Sequence, residues 1–293
     1  MSLFDSGFVA DKVTIDGSTV FIRHGGIGPP LLLLHGFPET HVAWHRVAPL
    51  LARRFTLVMP DLPGYGDSTG PEPDDTQQTF SKRAMADTLA GLMSTLGHDR
   101  FSVVGHDRGA RVAYRMALDH RSRVARLAIL DVIPSLDIAE RMTYDTGRHM
   151  ANWFLLALPW PIPERLIAAE PDLYLQHIIA AWRGTDAVST EAIAEYARCF
   201  RIPRVIRAMC EDYRAGDGVD LEHDRVDRDA KRRLECPVLV LWQAGGLTAS
   251  FGDPLAIWGQ WADDVRGQPV RGGHFLMEES PERIAVELSG FLS

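Results

Sequence analysis

Cysteine is scarce in this 293-residue chain. Cys199, Cys210 and Cys236 are odd in number and fit no Cys-x-x-Cys spacing. That argues against a disulfide framework or a thiolate metal site and for three reduced, buried thiols. Positive charge is also in deficit: 31 Lys and Arg stand against 39 Asp and Glu, a formal net charge of −8. A nucleic-acid partner would call for the opposite balance, a basic face to neutralise phosphates. Long apolar runs are missing too. The best candidate, Trp153 to Ile162, contains Pro159 and Pro161 and is too short to cross a bilayer. The first residues, Met-Ser-Leu-Phe-Asp-Ser-Gly, lack the basic and apolar regions of a signal peptide. What remains is an ordinary globular protein, expected to be cytoplasmic, with no nucleic-acid or membrane partner. An anionic ligand would have to be received by a locally positive pocket.

The most informative stretch is Phe101-Ser-Val-Val-Gly-His-Asp107-Arg108-Gly109-Ala-Arg111. A short β-prone run meets Gly105 and Gly109 with Asp107 midway between them. This is the spacing of a nucleophile elbow, the sharp strand-to-helix turn that lifts one side chain above a parallel sheet. Asp107 stands where the usual serine would be. A carboxylate is already ionised at neutral pH and can attack a saturated carbon bearing a leaving group, leaving an enzyme ester. Hydrolysis of that ester then needs a general base and an oxyanion site.

The chain around the elbow reads as alternating strands and helices. Phe8–Val13 and Thr19–Arg23 are strands joined at Asp16-Gly17. Pro30–His35 is a continuous apolar run suited to a central strand, ending in His35-Gly36-Phe37-Pro38. The backbone N–H groups of Phe37 and Arg108 are the candidate oxyanion donors. A helix over Val42–Arg53, a strand over Phe55–Met59, a helix from Met85 stopped by Gly97, and a helix from Arg108 to about His120 follow. The strand Arg126–Leu130 ends at Asp131. Such alternation predicts a parallel sheet with helices on both faces, and active groups collect at the carboxyl ends of its strands.

From Pro134 to about Lys231 the alternation stops, and short helical runs are broken by Pro159, Pro161, Pro163, Pro171 and Pro203. The division is therefore a core of residues 1–134 and 231–293 and a helical cap insertion of residues 135–230. Asp220–Glu235 resembles a calcium loop only superficially and reads as a solvated return segment. Strands resume at Cys236–Trp242 and near Val270, and Gly272-Gly273-His274 precedes a terminal helix over Ser280–Leu292. The loop after Trp242 carries no acid, so Asp131 is the candidate to orient His274. Asp107, Asp131 and His274 then stand in the order nucleophile, orienter, base, the order of the α/β-hydrolase fold.

At these residues the chain resembles the fluoroacetate (haloacetate) dehalogenases, a branch of that fold close to haloalkane dehalogenases and epoxide hydrolases. The resemblance runs over nearly the whole chain. It rests on His35-Gly-Phe-Pro-Glu-Thr, Gly105-His-Asp-Arg-Gly-Ala-Arg111, Leu130-Asp131, Met209-Cys-Glu-Asp-Tyr213-Arg-Ala-Gly and Gly273-His274-Phe. It implies hydrolysis of short 2-haloacids through an aspartyl ester, without metal or organic cofactor, by a homodimer. Phe37, Arg108 and Arg111 would bind substrate. Guanidinium forks suit a planar carboxylate, and they would offset a repulsion between substrate and Asp107 of about 4 kcal/mol at 4 Å and an effective dielectric near 20. Asn152, Trp153 and Tyr213 would bind the departing halide. Asn152 stands where the family has histidine, a change that could favour chloro- and bromoacetate over fluoroacetate. The alternative reading is an epoxide hydrolase built on the same Asp–His–Asp set.

Overall fold

The computed structural model describes residues 3–293. Eight strands form one sheet: β1 (Phe8–Ile15), β2 (Ser18–Gly26), β3 (Pro30–Leu34), β4 (Thr56–Pro60), β5 (Phe101–His106), β6 (Val124–Leu130), β7 (Val238–Gln243) and β8 (Val265–Val270). Their spatial order is β1-β2-β4-β3-β5-β6-β7-β8. β1 and β2 pair antiparallel, as do β2 and β4, and every later pairing is parallel. The central strands read as near-continuous apolar runs because both of their faces are covered. Leu31–Leu34, Val103, Val104, Leu127–Leu130 and Val238–Leu241 are all buried.

The turn between β5 and the helix Asp107–Asp119 depends on close backbone approach. A Cβ on Gly105 would lie 2.5 Å from Ala110 Cα, and one on Gly109 would lie 2.3 Å from the His35 carbonyl oxygen. Only hydrogen fits at either place. Asp107 itself takes φ of 44°, a left-handed conformation that non-glycine residues adopt rarely and often at functional sites.

Two sequence expectations change. Val42–Arg53 is not one helix but a 3₁₀ turn over His41–Trp44 and a short helix over Ala48–Leu51. Pro49 sits in the first turn of the second piece, where its missing N–H costs nothing, and it could not have served inside a longer helix. The second correction concerns Asp220–Glu235. Instead of a solvated return it opens with the helix Val219–Asp229, whose Asp220, Asp224 and Asp227 are buried. These three fall on one helical face, and they meet cations of the sheet-flanking helices. Arg115 donates to Asp224 at 2.8 Å and also to Asp227. Lys82 donates through its backbone N–H to Asp220 at 2.8 Å.

Residues 135–230 hold helices only. Several of the prolines that interrupt the pattern begin helices: Pro163, Pro171 and Pro203 lie in first turns, where proline is tolerated. Among the described residues no helix is long and apolar enough to cross a membrane. Buried Arg115 faces two carboxylates that have no other cation so close, except for Arg232 beside Asp227. Arg115→Met should therefore destabilise the fold by about 3–5 kcal/mol, the range for stranding buried charge, with urea unfolding as the measurement.

Candidate active site

The parallel strands deliver their carboxyl ends to one edge of the sheet. β5 leads into Asp107, and its neighbour β6 leads into Asp131. The loop after β8 brings His274 beside both. His274 Nδ1 lies 2.7 Å from Asp131 Oδ2, and the other carboxylate oxygen of Asp131 accepts from the Gln243 N–H at 2.9 Å. Asp131 is held further by its own N–H to the Leu241 carbonyl and by the Thr248 hydroxyl on its carbonyl. The backbone N–H of His274 donates to the Trp182 carbonyl, and the Trp182 ring packs edge-on against His274 and Phe37.

Asp107 opens its helix, where the amide dipoles favour negative charge. The Phe37 N–H donates to its Oδ2 at 3.0 Å. Burial pushes this carboxyl upward, but His274, His106, Arg111 and Arg108 together outweigh it and hold Asp107 below the usual carboxylate value.

The two arginines of the elbow helix are both buried, and their situations differ. Arg108 is fixed by Asp212, with Nε 2.8 Å from Oδ2 and one terminal nitrogen 3.0 Å from Oδ1. That carboxylate, from the helix Pro203–Asp217, also accepts from Tyr65 at 2.7 Å and from Lys82. Burial would lower the Arg108 value, and Asp212 overrides it to raise the group above its ordinary range. The remaining nitrogen, NH1, is buried with no hydrogen-bond partner. Arg111 donates only to the Ser135 hydroxyl, at 2.7 Å, and its Nε is unpartnered. Burial and then the Arg108 charge push its value down. Among the described residues no carboxylate forms an ion pair with it. Two guanidinium groups with unused donors therefore face one cavity.

That cavity has a volume of about 500 Å³ and is lined by Asp107, Arg108, Arg111, Asp131 and His274 from the sheet side. Asn152, Trp153 and Tyr213 line it from the helical segment. Both side-chain polar atoms of Asn152 are buried without partners. Trp153 lies beneath both arginines, with the Arg111 guanidinium 4.8 Å from its ring centre. Tyr213 packs edge-on to Trp153 and Phe37, with Arg108 4.1 Å from its ring. His149 is exposed at the cavity's margin, its Nδ1 2.8 Å from the Asp145 carbonyl oxygen. All nine residues singled out from the sequence thus lie around one space, Phe37 through its N–H on Asp107.

Sequence reading missed the residues that hold these in place. Asp212 is adjacent to Tyr213, inside a quoted motif, and its only sequence signal is a carboxylate in a helix that is otherwise apolar on that face. Ser135, Lys82 and Tyr65 carry no local signal. Glu39 and His106 stand inside quoted motifs but received no role; His106 Nδ1 is 2.8 Å from Glu39 Oε2. The three cysteines are buried and free. Among the described residues no cluster of His, Cys, Asp and Glu could hold a metal ion.

Comparison with known proteins gives the class first. Residues 29–163 match the model of the alpha/beta hydrolase fold. A solved structure from Nostoc sp. PCC 7120, assigned to the alpha/beta hydrolases, superposes with a TM-score of 0.96 at 45% identity, covering 98% of this chain and 99% of that one. The chain belongs to the α/β-hydrolase family, on the branch of the fluoroacetate dehalogenases. The fluoroacetate dehalogenase of Burkholderia sp. is 40% identical over 98% of this chain and 94% of its own length. A soluble epoxide hydrolase from Corynebacterium sp. (strain C12) is 35% identical over 92% of each.

Unused donors on two buried arginines predict a carboxylate site. Calorimetric titration with acetate should show binding that Arg111→Met weakens about ten- to a hundredfold, the worth of a charged hydrogen bond. Asp107→Asn, which removes the opposing anion, should tighten it.

Proposed function

We propose that the protein hydrolyses short 2-haloacids, releasing halide and the 2-hydroxyacid through an ester on Asp107. The observation that carries this reading is Arg111, a buried guanidinium with no carboxylate partner, beside the half-buried carboxylate of Asp107. A substrate carboxylate between Arg111 and the free NH1 of Arg108 would supply the missing charge and hold its α-carbon over Asp107. Residues 135–230 act in this scheme as the cap that closes the cavity.

In the first step an Asp107 oxygen attacks the α-carbon and the carbon–halogen pair leaves with the halide. Because Oδ2 is occupied by the Phe37 N–H, Oδ1 is the attacking oxygen. Oδ2 then becomes the ester carbonyl oxygen, already seated on a donor. Asn152, Trp153 and Tyr213 offer N–H and O–H groups to the charge that gathers on the halogen. Burial and the Asp107 charge push the Tyr213 phenol well above its ordinary value, so it stays a donor. In the second step His274, oriented by Asp131, takes a proton from water, which attacks the Asp107 carbonyl carbon. The tetrahedral oxyanion is stabilised by the N–H groups of Phe37 and Arg108. Its collapse breaks the bond to the 2-hydroxyacid oxygen, which takes the proton from His274 as the product leaves, and the carboxyl proton left on Asp107 passes to solvent to restore the carboxylate.

The epoxide hydrolase among the relatives supports a second reading with the same Asp–His–Asp set. Such chemistry wants hydroxyl donors from the cap, and Tyr213 is the one tyrosine of the cavity wall. Two cationic side chains at the elbow serve a neutral ring poorly. The dehalogenase reading is favoured.

Asp107→Ala should give no turnover. His274→Asn should release one halide per site and stall as an alkylated protein visible in the intact mass. An unmodified mass after that burst would reject the two-step scheme. Chloro- and bromoacetate should react at least as fast as fluoroacetate, and Asn152→His should shift the ratio toward fluoroacetate; halide release across the three acids measures both.

A further inference from the structure

His106 has no part in the scheme above, yet it touches the structures on which the scheme depends. Its ring is fully buried. Nε2 lies 2.8 Å from the His274 carbonyl oxygen, an atom that can only accept, so Nε2 carries a proton. Nδ1 lies 2.8 Å from Glu39 Oε2, an oxygen that already accepts from the Gly36 N–H at 2.9 Å. As a carboxylate oxygen it accepts from both, so Nδ1 carries a proton as well. A neutral imidazole donates from one nitrogen only.

We propose that His106 is an imidazolium at neutral pH, paired with Glu39, that fixes the His274 loop through its carbonyl and keeps Asp107 ionised while an anionic substrate enters. It is a positioning residue. The last part rests on Asp107 being the nucleophile.

The groups facing His106 support a standing charge. Glu39 approaches from the loop after β3, Asp107 is its chain neighbour, Asp131 ends the next strand, and the His274 ring lies 4.6 Å away between centres. Burial opposes protonation, but Glu39, followed by Asp107 and Asp131, pushes the ring up to about 9. Behind Glu39 lies buried Glu278, which takes a hydrogen bond from Tyr196 at 3.2 Å. Burial and the Glu39 charge drive Glu278 well above the ordinary carboxylate value. Glu39, not Glu278, is the carboxylate in hydrogen-bond contact with the His106 ring.

Such a cation does what the arginines cannot. Arg108 and Arg111 face the cavity, and a bound carboxylate takes up their charge at the moment when Asp107 most needs it. His106 is sealed from the cavity by its two hydrogen bonds, so its charge is the same with substrate present or absent.

Ring ¹⁵N NMR on histidine-labelled protein tests the charge directly. Both His106 nitrogens should be protonated at pH 7 and lose that state near pH 9, with the signals assigned by their loss in His106→Gln. A neutral ring at pH 7 overturns the proposal. Glu39→Gln keeps the hydrogen-bonding shape but removes the counter-charge. It should slow the halide burst about tenfold at neutral pH and raise the acid limb of the burst rate by about one pH unit, with KM little changed. A limb that stays in place, in a folded variant, overturns the tuning role. If Glu39→Gln does not fold, the ring spectrum of the native chain decides alone. A doubly protonated ring in a protein that releases no halide from any haloacid would remove the dehalogenase reading and leave the buried cation standing. A neutral ring in an active dehalogenase would do the reverse.

Discussion

In the proposed reaction an anion would be brought against the Asp107 carboxylate inside the cavity, where two buried guanidinium groups line the wall. Buried guanidinium groups supply the compensation, but each is itself expensive to remove from water. Arg108 is stabilised by Asp212, and Asp212 in turn by Lys82 and Tyr65. That carboxylate comes from the helical segment, whereas its three partners come from the sheet side. The same contact thus holds the segment down and aims Arg108. Arg115 with Asp224 and Asp227 repeats the device two turns further along the elbow helix. With buried ion pairs of this kind at the seam, separating the two layers would strand charges in the interior.

Arg111 is the exception that gives the arrangement its purpose. It has a hydroxyl partner, Ser135, and a ring beneath it, Trp153, but no carboxylate of its own. A fully compensated pair of arginines would make a stable wall and a poor binding site. One compensated and one uncompensated guanidinium give a wall that is mechanically fixed and electrostatically short of one negative charge. Asn152 is a parallel case among neutral groups: its amide is buried with neither end satisfied, a cost carried in the free protein that a bound acceptor would relieve.

The fold and the proposed reacting set were legible in the sequence because they depend on short-range rules. Gly105 and Gly109 announce the elbow because a Cβ cannot fit there. Central strands announce themselves by unbroken apolar runs, and Asp131 by its place at the end of one. Asp212, Ser135 and Lys82 were not legible because their meaning lies in partners far along the chain; Lys82 and Asp212 are 130 residues apart. The misread segment Asp220–Asp229 fails for the same reason. Charged residues in a helix usually mark a solvated face, and only the buried cation opposite reverses that reading. His106 is a middle case: it sits in the most conspicuous motif of the chain, yet its charge follows from which atoms receive its protons.

The overall charge of −8 would repel an anionic ligand at long range, but at physiological ionic strength such fields fade over about 8 Å. What a ligand meets within that distance is local. Arg148, His149, His177 and Arg183 line the outer cavity, and Arg108 and Arg111 line its inner part. Of the outer group Arg183 is partly offset by Asp186 at 3.0 Å, whereas the only acids of the wall are Asp107 and Asp131. The cavity wall therefore carries four arginines against two carboxylates, although the chain as a whole is acidic. A carboxylate would meet this local excess of positive charge only once it is near the mouth.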